Sequence, residues 1–294
     1  MVKLKPLEIL MALMVPLVWG MGFVFAKGAI NHFPPILLMA FRFALTAMVL
    51  VWFVTVPYGN LKNIFNVAIV AAAIQYSLTF TGLAGLEAGL ASLVVQLEVP
   101  FLVLLGALVL KENPGLQKWA GIIISFLGVG LMTQQNALSG SLGSVCLVVA
   151  GCFVWACGQV MIRKLKDIGG LQVTAWVAVF ATPQLFIMSA IFETGQITAI
   201  QNANHTVWLT VIYLGLVMTC FGYYLWNTLI RRHDVGTVAP FLLLLPLFSL
   251  MGGMLFLGEE PTADKLLGGV VILLGVAIIT INLRHFINRK SPSD

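Results

Sequence analysis

Two ionisable side chains interrupt otherwise apolar runs of this chain: Arg42 within PPILLMAFRF (34–43) and Glu98 within AGLASLVVQLEVPF (88–101). A guanidinium surrounded by hydrocarbon needs a partner, and its planar fork matches a carboxylate in a two-pronged hydrogen bond. Arg42 therefore has two readings. It snorkels to headgroups or pairs structurally with another helix, or it lines a pathway and meets a substrate carboxylate. Glu98 likewise either pairs with Arg42, which offsets the burial of both charges, or serves as a proton-coupling carboxylate. At 1.5 Å per residue the two lie roughly 9 Å and 15 Å into helices of the same direction, so their depths allow pairing. Pro100 removes an amide that would bond to the carbonyl of Gln96 and so loosens the helix beside them.

Further polar groups share helical faces with the spacing that a solute pathway requires. Ser92 and Gln96 are four apart, while Glu98 lies about 200° from Gln96, which gives that helix two polar aspects. Gln75, Tyr76, Ser77, Thr79 and Thr81 form a polar run in mid-span, with Gln75 and Thr79 as its best single stripe. Trp155 with Gln159, and Tyr223 with Asn227, are two more pairs spaced by four; Tyr224 and Trp226 turn away by about 100° or more. Interhelical hydrogen bonding is the competing reading for each polar residue. For Trp19 and Trp155 it is packing, because aromatics fill space more often than they recognise ligands.

The elements that must hold these residues follow from composition. Hydrophobic residues make up 60% and charged residues 9% of the 294. The mean hydropathy is +1.01, which requires an integral membrane protein. Backbone groups in hydrocarbon must be bonded internally, and a helix needs about 20 apolar residues to cross. The sequence predicts ten spans, near 8–27, 35–56, 64–84, 88–110, 116–134, 143–162, 172–192, 205–228, 237–257 and 264–284.

These spans fall into two related halves. The stretch LVLKENPGLQKWAGIIISFLGV (108–129) returns as LFLGEEPTADKLLGGVVILLGV (255–276), with Leu108, Leu110, Glu112, Pro114, Lys118, Gly121, Leu127, Gly128 and Val129 each meeting the same residue type after a constant shift. An earlier echo sets Trp19 against Trp155 and Gly22 against Gly158. Five spans per half is an odd number, so the halves enter the bilayer from opposite faces: an all-α protein built as two inverted five-helix repeats, 1–138 and 139–287, with a short cytoplasmic tail at 288–294. With both termini cytoplasmic, thirteen basic residues fall inside: Lys3, Lys5, Lys62, Lys111, Lys118, Arg163, Lys164, Lys166, Arg231, Arg232, Arg284, Arg289 and Lys290. Only Lys27 and Lys265 fall outside, an asymmetry that sets the orientation.

The net charge of +5 is what this asymmetry produces, and it argues for no nucleic-acid partner. Cys146, Cys152, Cys157 and Cys220 fall within spans and have no metal-ligand spacing, so neither disulfide nor metal is expected. His32, His205, His233 and His285 lie at ends or loops. No nucleotide-binding or hydrolase motif occurs, so no cofactor and no catalysis are expected, and energy must come from gradients. The first apolar segment lacks a cleavage site and reads as a span.

The segments VWGMGFVFAK, PPILLMAFRF, AGLASLVVQLEVPF, KENPGLQKWAGIIISFLGV and GEEPTADKLLGGVVILLGV resemble the EamA-type branch of the drug/metabolite transporter superfamily over nearly the whole chain. FVWACGQVMIRK and FGYYLWNTLIRRHDVGTVAPFLLLLPLFSL more narrowly resemble the O-acetylserine/cysteine exporter group of bacterial inner membranes. The resemblance implies ten helices around a central cavity and export of amino acids or related small metabolites, by alternating access, across the inner membrane. An exporter of drugs or other lipophilic metabolites is the alternative, and would call for an unpaired acidic pocket. A non-transporting membrane enzyme or subunit is the third reading, and would call for a nucleophile and base at mid-membrane. One Arg and one Glu suit a substrate carrying both a carboxylate and an amine. The expected substrate-contacting set is Arg42, Gln75, Thr79, Ser92, Gln96, Glu98, Trp155, Gln159, Tyr223 and Asn227.

Overall fold

The computed structural model of the chain describes residues 5–109, 111, 113–133, 142–165, 168–233 and 238–280. Eight helices are long and apolar enough to cross a membrane: α1 (Pro6–Ile30), α2 (Pro35–Phe53), α3 (Tyr58–Ala84), α4 (Ala88–Val109), α6 (Leu142–Ile162), α7 (Gly170–Phe192), α8 (His205–Leu229) and α9 (Pro240–Leu257). Two more, α5 (Gly115–Thr133) and α10 (Ala263–Thr280), carry shorter apolar stretches. Their expected spans, 116–134 and 264–284, run into positions outside the described residues. The same holds for Leu110, Glu112, Lys3, Lys166, Arg284, Arg289 and Lys290 of the repeat and charge patterns, and for the tail at 288–294. Helix α2 ends before residue 56, at Phe53, because Val54 turns extended (φ −136°, ψ 149°).

Several helices are irregular where polar residues cluster. Helix α3 widens to π-helical turns at Ile69–Ile74, and α8 does so at Tyr213–Phe221. Helix α4 breaks at Gln96 and Leu97, where Val99 N donates to the Gln96 carbonyl at 3.2 Å. That carbonyl has lost its partner four residues on, because residue 100 is proline. Pro240 and Pro246 accompany a tight 3₁₀ turn at Ala239–Leu244 that opens α9. A π-turn leaves carbonyls without their ordinary partners. In α8 side chains take that role: Thr219 Oγ1 donates to the Leu214 carbonyl at 2.7 Å, and Thr46 Oγ1, from α2, to that of Gly215 at 3.0 Å.

Helix α1 packs between α8 and α9, α6 against α3 and α4, and α2 against α7. Helices α5 and α10 pair with each other, as their shared glycines anticipate. A Cβ on Gly121 would stand 2.6 Å from the Gly275 carbonyl, and one on Gly128 would stand 2.8 Å from that of Gly268. Without a strong hydrophobic drive in lipid, this close backbone approach is what holds the two helices together.

The two ends of the bundle are tied differently. At one end Glu8 of α1 lies 3.1 Å from His233 Nε2 and 3.9 Å from Arg232 Nη1, beyond α8. At the other, Lys27 donates to the carbonyls of Leu83 (3.2 Å) and Ala84 (2.7 Å) at the end of α3. There the Glu193 carboxylate, just past α7, accepts from Ile36 N (2.7 Å) and Leu37 N (3.0 Å) and so caps α2. Glu259, just past α9, accepts from Ala88 N (2.6 Å) and Gly89 N (3.4 Å) and caps α4. Lys265 of α10 pairs with Glu87 at 2.8 Å. A carboxylate at a helix N-terminus satisfies orphan amides and meets the positive end of the dipole.

The α5–α10 contact yields a stability prediction. Gly275→Val should destabilise by about 1–3 kcal/mol, since the new side chain meets the Gly121 carbonyl and Ser125. Gly130→Ala, where a Cβ meets nothing within 4 Å, should be close to neutral. Thermal unfolding of the purified variants in detergent reads both; equal melting points would refute the close-packing account.

Candidate functional site

The deepest charge is Arg42, 1% exposed on α2. Its Nε donates to Thr219 Oγ1 of α8 at 3.0 Å, and its Nη1 lies 3.9 Å from the Met39 sulfur. The guanidinium carbon stands 4.9 Å from the centre of the Tyr76 ring of α3 and 5.6 Å from that of Phe43. Stacking on the negative face of an aromatic ring stabilises a desolvated cation by about 2 kcal/mol. Phe43 meets Tyr76 edge-on at 4.9 Å, which fixes that ring in turn.

Tyr223 of α8 closes the group. It lies within electrostatic reach of Tyr76, Arg42 and Glu98, and its ring packs 5.3 Å from Trp19 of α1. Five helices thus converge here, with Arg42 from α2, Tyr76 from α3, Glu98 from α4, Tyr223 from α8 and Trp19 from α1. Arg42 and Glu98 are not joined by an ion pair, so the structural-pair reading is corrected. The guanidinium is held by an aromatic face and a hydroxyl, and Glu98 is half-buried. Chemically the group offers one cation, one carboxylate and two phenols in a largely desolvated space.

The other expected residues are placed as follows. Gln75 Nε2 donates to Thr79 Oγ1 at 3.1 Å, as the stripe anticipates, and Gln75 Oε1 is buried without a partner among the described residues. Thr79 faces Gly151 of α6. Ser92 is fully buried and donates to its own helix, at Gly89 O (2.7 Å), which suits a structural role. Gln96 Nε2 reaches across to the Leu242 carbonyl of α9 at 3.3 Å and joins the broken stretches of α4 and α9. Trp155 and Gln159 are half-buried on α6. By helical angle they fall between Gly151 and Gly158, which meet α3, and Cys152, whose Sγ lies 3.6 Å from the Val94 carbonyl of α4. Asn227 sits two turns beyond Thr219, against Gly170 at the start of α7, with Nδ2 buried and without a partner among the described residues. Thr219, Tyr223 and Asn227 thus make a stripe down α8.

Sequence reasoning did not single out Thr219 or Gln184. Gln184 of α7 keeps both amide atoms buried without a partner among the described residues, one turn before Met188, whose sulfur lies 3.8 Å from Ser77 Oγ. Its signal was legible as a lone amide beside Pro183 in an apolar span. Trp19 packs between helices: Nε1 donates to the Met218 carbonyl at 3.1 Å and one edge of the ring lies against Gly222, while the ring also packs beside Tyr223.

Two cavities open at the Lys27 end, and neither is lined by any of the ten expected residues. One, of about 460 Å³, is bordered by Lys27, Asn31, Glu87, Glu259 and Lys265. The other, of about 320 Å³, lies between α1, α8 and α9 beside His32 and Asn204.

The chain is similar to known proteins over most of its length. A probable amino-acid metabolite efflux pump of Escherichia coli (strain K12) is 32% identical, over 93% of this chain and 95% of its own length. A probable amino-acid metabolite efflux pump of Salmonella typhimurium is equally similar. An uncharacterized transporter of Archaeoglobus fulgidus is 26% identical over 89% of this chain and 94% of its own. A solved structure shares the fold with a TM-score of 0.64 at 17% identity, covering 98% of this chain and all of that one. The EamA-like transporter family model matches twice, at residues 6–134 and 142–281. The chain is a multi-pass membrane protein with the helices of a transporter, and it belongs to the EamA-like transporter family.

Proposed function

We propose that this protein exports amino acids or related small zwitterionic metabolites across the bacterial inner membrane by alternating access. The observation that carries the reading is the buried Arg42 held against Tyr76 of α3 and Thr219 of α8, where helices of both halves meet. Thr219 takes one of the five guanidinium donors and the Met39 sulfur weakly engages a second, so three remain for a carboxylate. Glu98 supplies the counter-charge for an ammonium group. Tyr76, Tyr223 and Trp19 supply an apolar wall. A lipophilic cation would meet Arg42 and be repelled, which favours the zwitterion over the drug. O-acetylserine and cysteine are the substrates that the narrower resemblance favours, and the efflux-pump relatives support this class.

We read the machinery as two inverted halves, 1–138 and 139–287. The twofold match to the family model supports this division. So do the helix pairings: α1 with α8 and α9 mirrors α6 with α3 and α4, while α2, α4 and α5 each pair with their own counterparts α7, α9 and α10. The π-turns of α3 and α8 also fall in equivalent helices, just before Gln75 and Tyr223. On this reading both termini and the Glu8 end face the cytoplasm, the Lys27 end faces outward, and Glu98 is the carboxylate that would couple transport to protons.

Inverted vesicles given labelled cysteine, O-acetylserine, threonine and an aromatic amino acid should accumulate at least one of them, and Arg42→Gln should lower that uptake by about 10–100-fold through loss of a charged hydrogen bond. Uptake unchanged in Arg42→Gln would remove Arg42 from the pathway. In a denaturation cycle, Arg42→Gln with Thr219→Val should show coupling of about 1–2 kcal/mol, and Arg42→Gln with Glu98→Gln less. The reverse order would restore the ion-pair account. For orientation, an impermeant thiol reagent on intact cells should label Asn31→Cys and spare Asn63→Cys; the opposite pattern would overturn the topology.

A further inference from the structure

The cavity of about 460 Å³ at the Lys27 end shares no lining residue with the Arg42 group and is built differently. It is bordered by two lysines and two glutamates, so its formal charge balances. The four charges are not all consumed by one another. Lys27 gives hydrogen bonds to two carbonyls, at 3.2 Å and 2.7 Å, out of the three donors an ammonium carries. Lys265 gives one to Glu87 Oε1 at 2.8 Å. Glu87 Oε2 is buried with no partner among the described residues. Glu259 spends its oxygens on the start of α4 and holds that wall in place.

A ligand filling this space therefore meets the ammonium groups of Lys27 and Lys265, with donors to spare, and among them the carboxylates of Glu87 and Glu259. A simple anion would gain the lysines but face Glu87 and Glu259, and a simple cation would face the reverse. Only a group carrying both signs can pair with the lysines and the glutamates together and leave the balance of charge unchanged. The volume lies in the range that small-molecule sites use.

We infer that this vestibule is a second binding site, one that takes the ammonium and carboxylate of an amino-acid-like zwitterion between Glu87 and the lysines, apart from the Arg42 group. The ligand class agrees with the proposed export, and the vestibule would be the last station before release.

The test uses the full-length protein in lipid nanodiscs, where both faces are accessible and orientation does not matter. Asn31→Cys, at the cavity border, is labelled with a thiol reagent, with the protein lacking that substitution as background for the four native cysteines. Glycine, serine, threonine and phenylalanine serve as zwitterions, with N-acetylthreonine as the matched anion and threonine amide as the matched cation. At least one zwitterion should slow labelling by about fivefold or more at saturation, and the single-charge compounds should not. The protection should persist in Arg42→Gln and fall in Glu87→Gln, with thermal melting confirming that both variants are folded. Protection lost in Arg42→Gln would assign the effect to the central group and overturn the inference. Equal protection by all compounds, or by none, would overturn it whatever the transport result. Selective protection without any vesicle transport would uphold this site while defeating the export reading.

Discussion

A full positive charge held at 1% exposure inside a membrane bundle is the constraint around which the rest is arranged. Its solvation by water is replaced by three things from three helices: the Tyr76 face, the Thr219 hydroxyl and the Met39 sulfur. Each needs a supporting device. Tyr76 is set by Phe43, and Thr219 belongs to a stretch of α8 whose widened turns present it to α2 while its hydroxyl hydrogen goes back to Leu214. Gly215 admits the α2 backbone, since a Cβ there would stand 3.1 Å from the Arg42 carbonyl. Irregular backbone inside a membrane is tolerated only where its freed groups find partners, and here those partners are side chains of the site itself.

The arrangement separates residues that build the site from those that the substrate could meet. Ser92 and Thr46 give their hydrogens to carbonyls and repair helix geometry. Gln96 bridges two interrupted helices. Gln75, Gln184 and Asn227 instead keep amide atoms buried without a partner among the described residues. Polar groups buried without partners are rare in folded proteins, so each of these marks a position that packing alone does not explain.

Much of this was legible in one dimension. Hydropathy located the helices, and the recurring glycines of α5 and α10 announced a close backbone contact. Arg42 and Glu98 stood out because charges in apolar runs are expensive. The choice of partner for Arg42 was not legible. Depth along two helices allowed Glu98, but the angular placement of α3 and α8 around α2 brought Tyr76 and Thr219 instead, the latter 177 residues away. The π-turns were also hidden, because nothing in IVAAAI or YLGLVMTCF departs from ordinary apolar helix. They arise from tertiary fit. Gln184 was legible in principle, as the amide beside Pro183, and its importance emerges only once both of its atoms are seen to lack partners.

The carboxylate caps at the Lys27 end have a consequence for the membrane's electrical integrity. Glu193 and Glu259 each follow a helix of the second half and each cap a helix of the first. Parting the two halves at this end therefore exposes two helix starts at once, at about 0.5–2 kcal/mol per cap. The loss of about 1–4 kcal/mol in total holds the parted form to between about one molecule in five and one in a thousand. On the proposed alternating-access reading, these caps bias the protein toward the form closed at this end, which limits the time in which ions could leak through it.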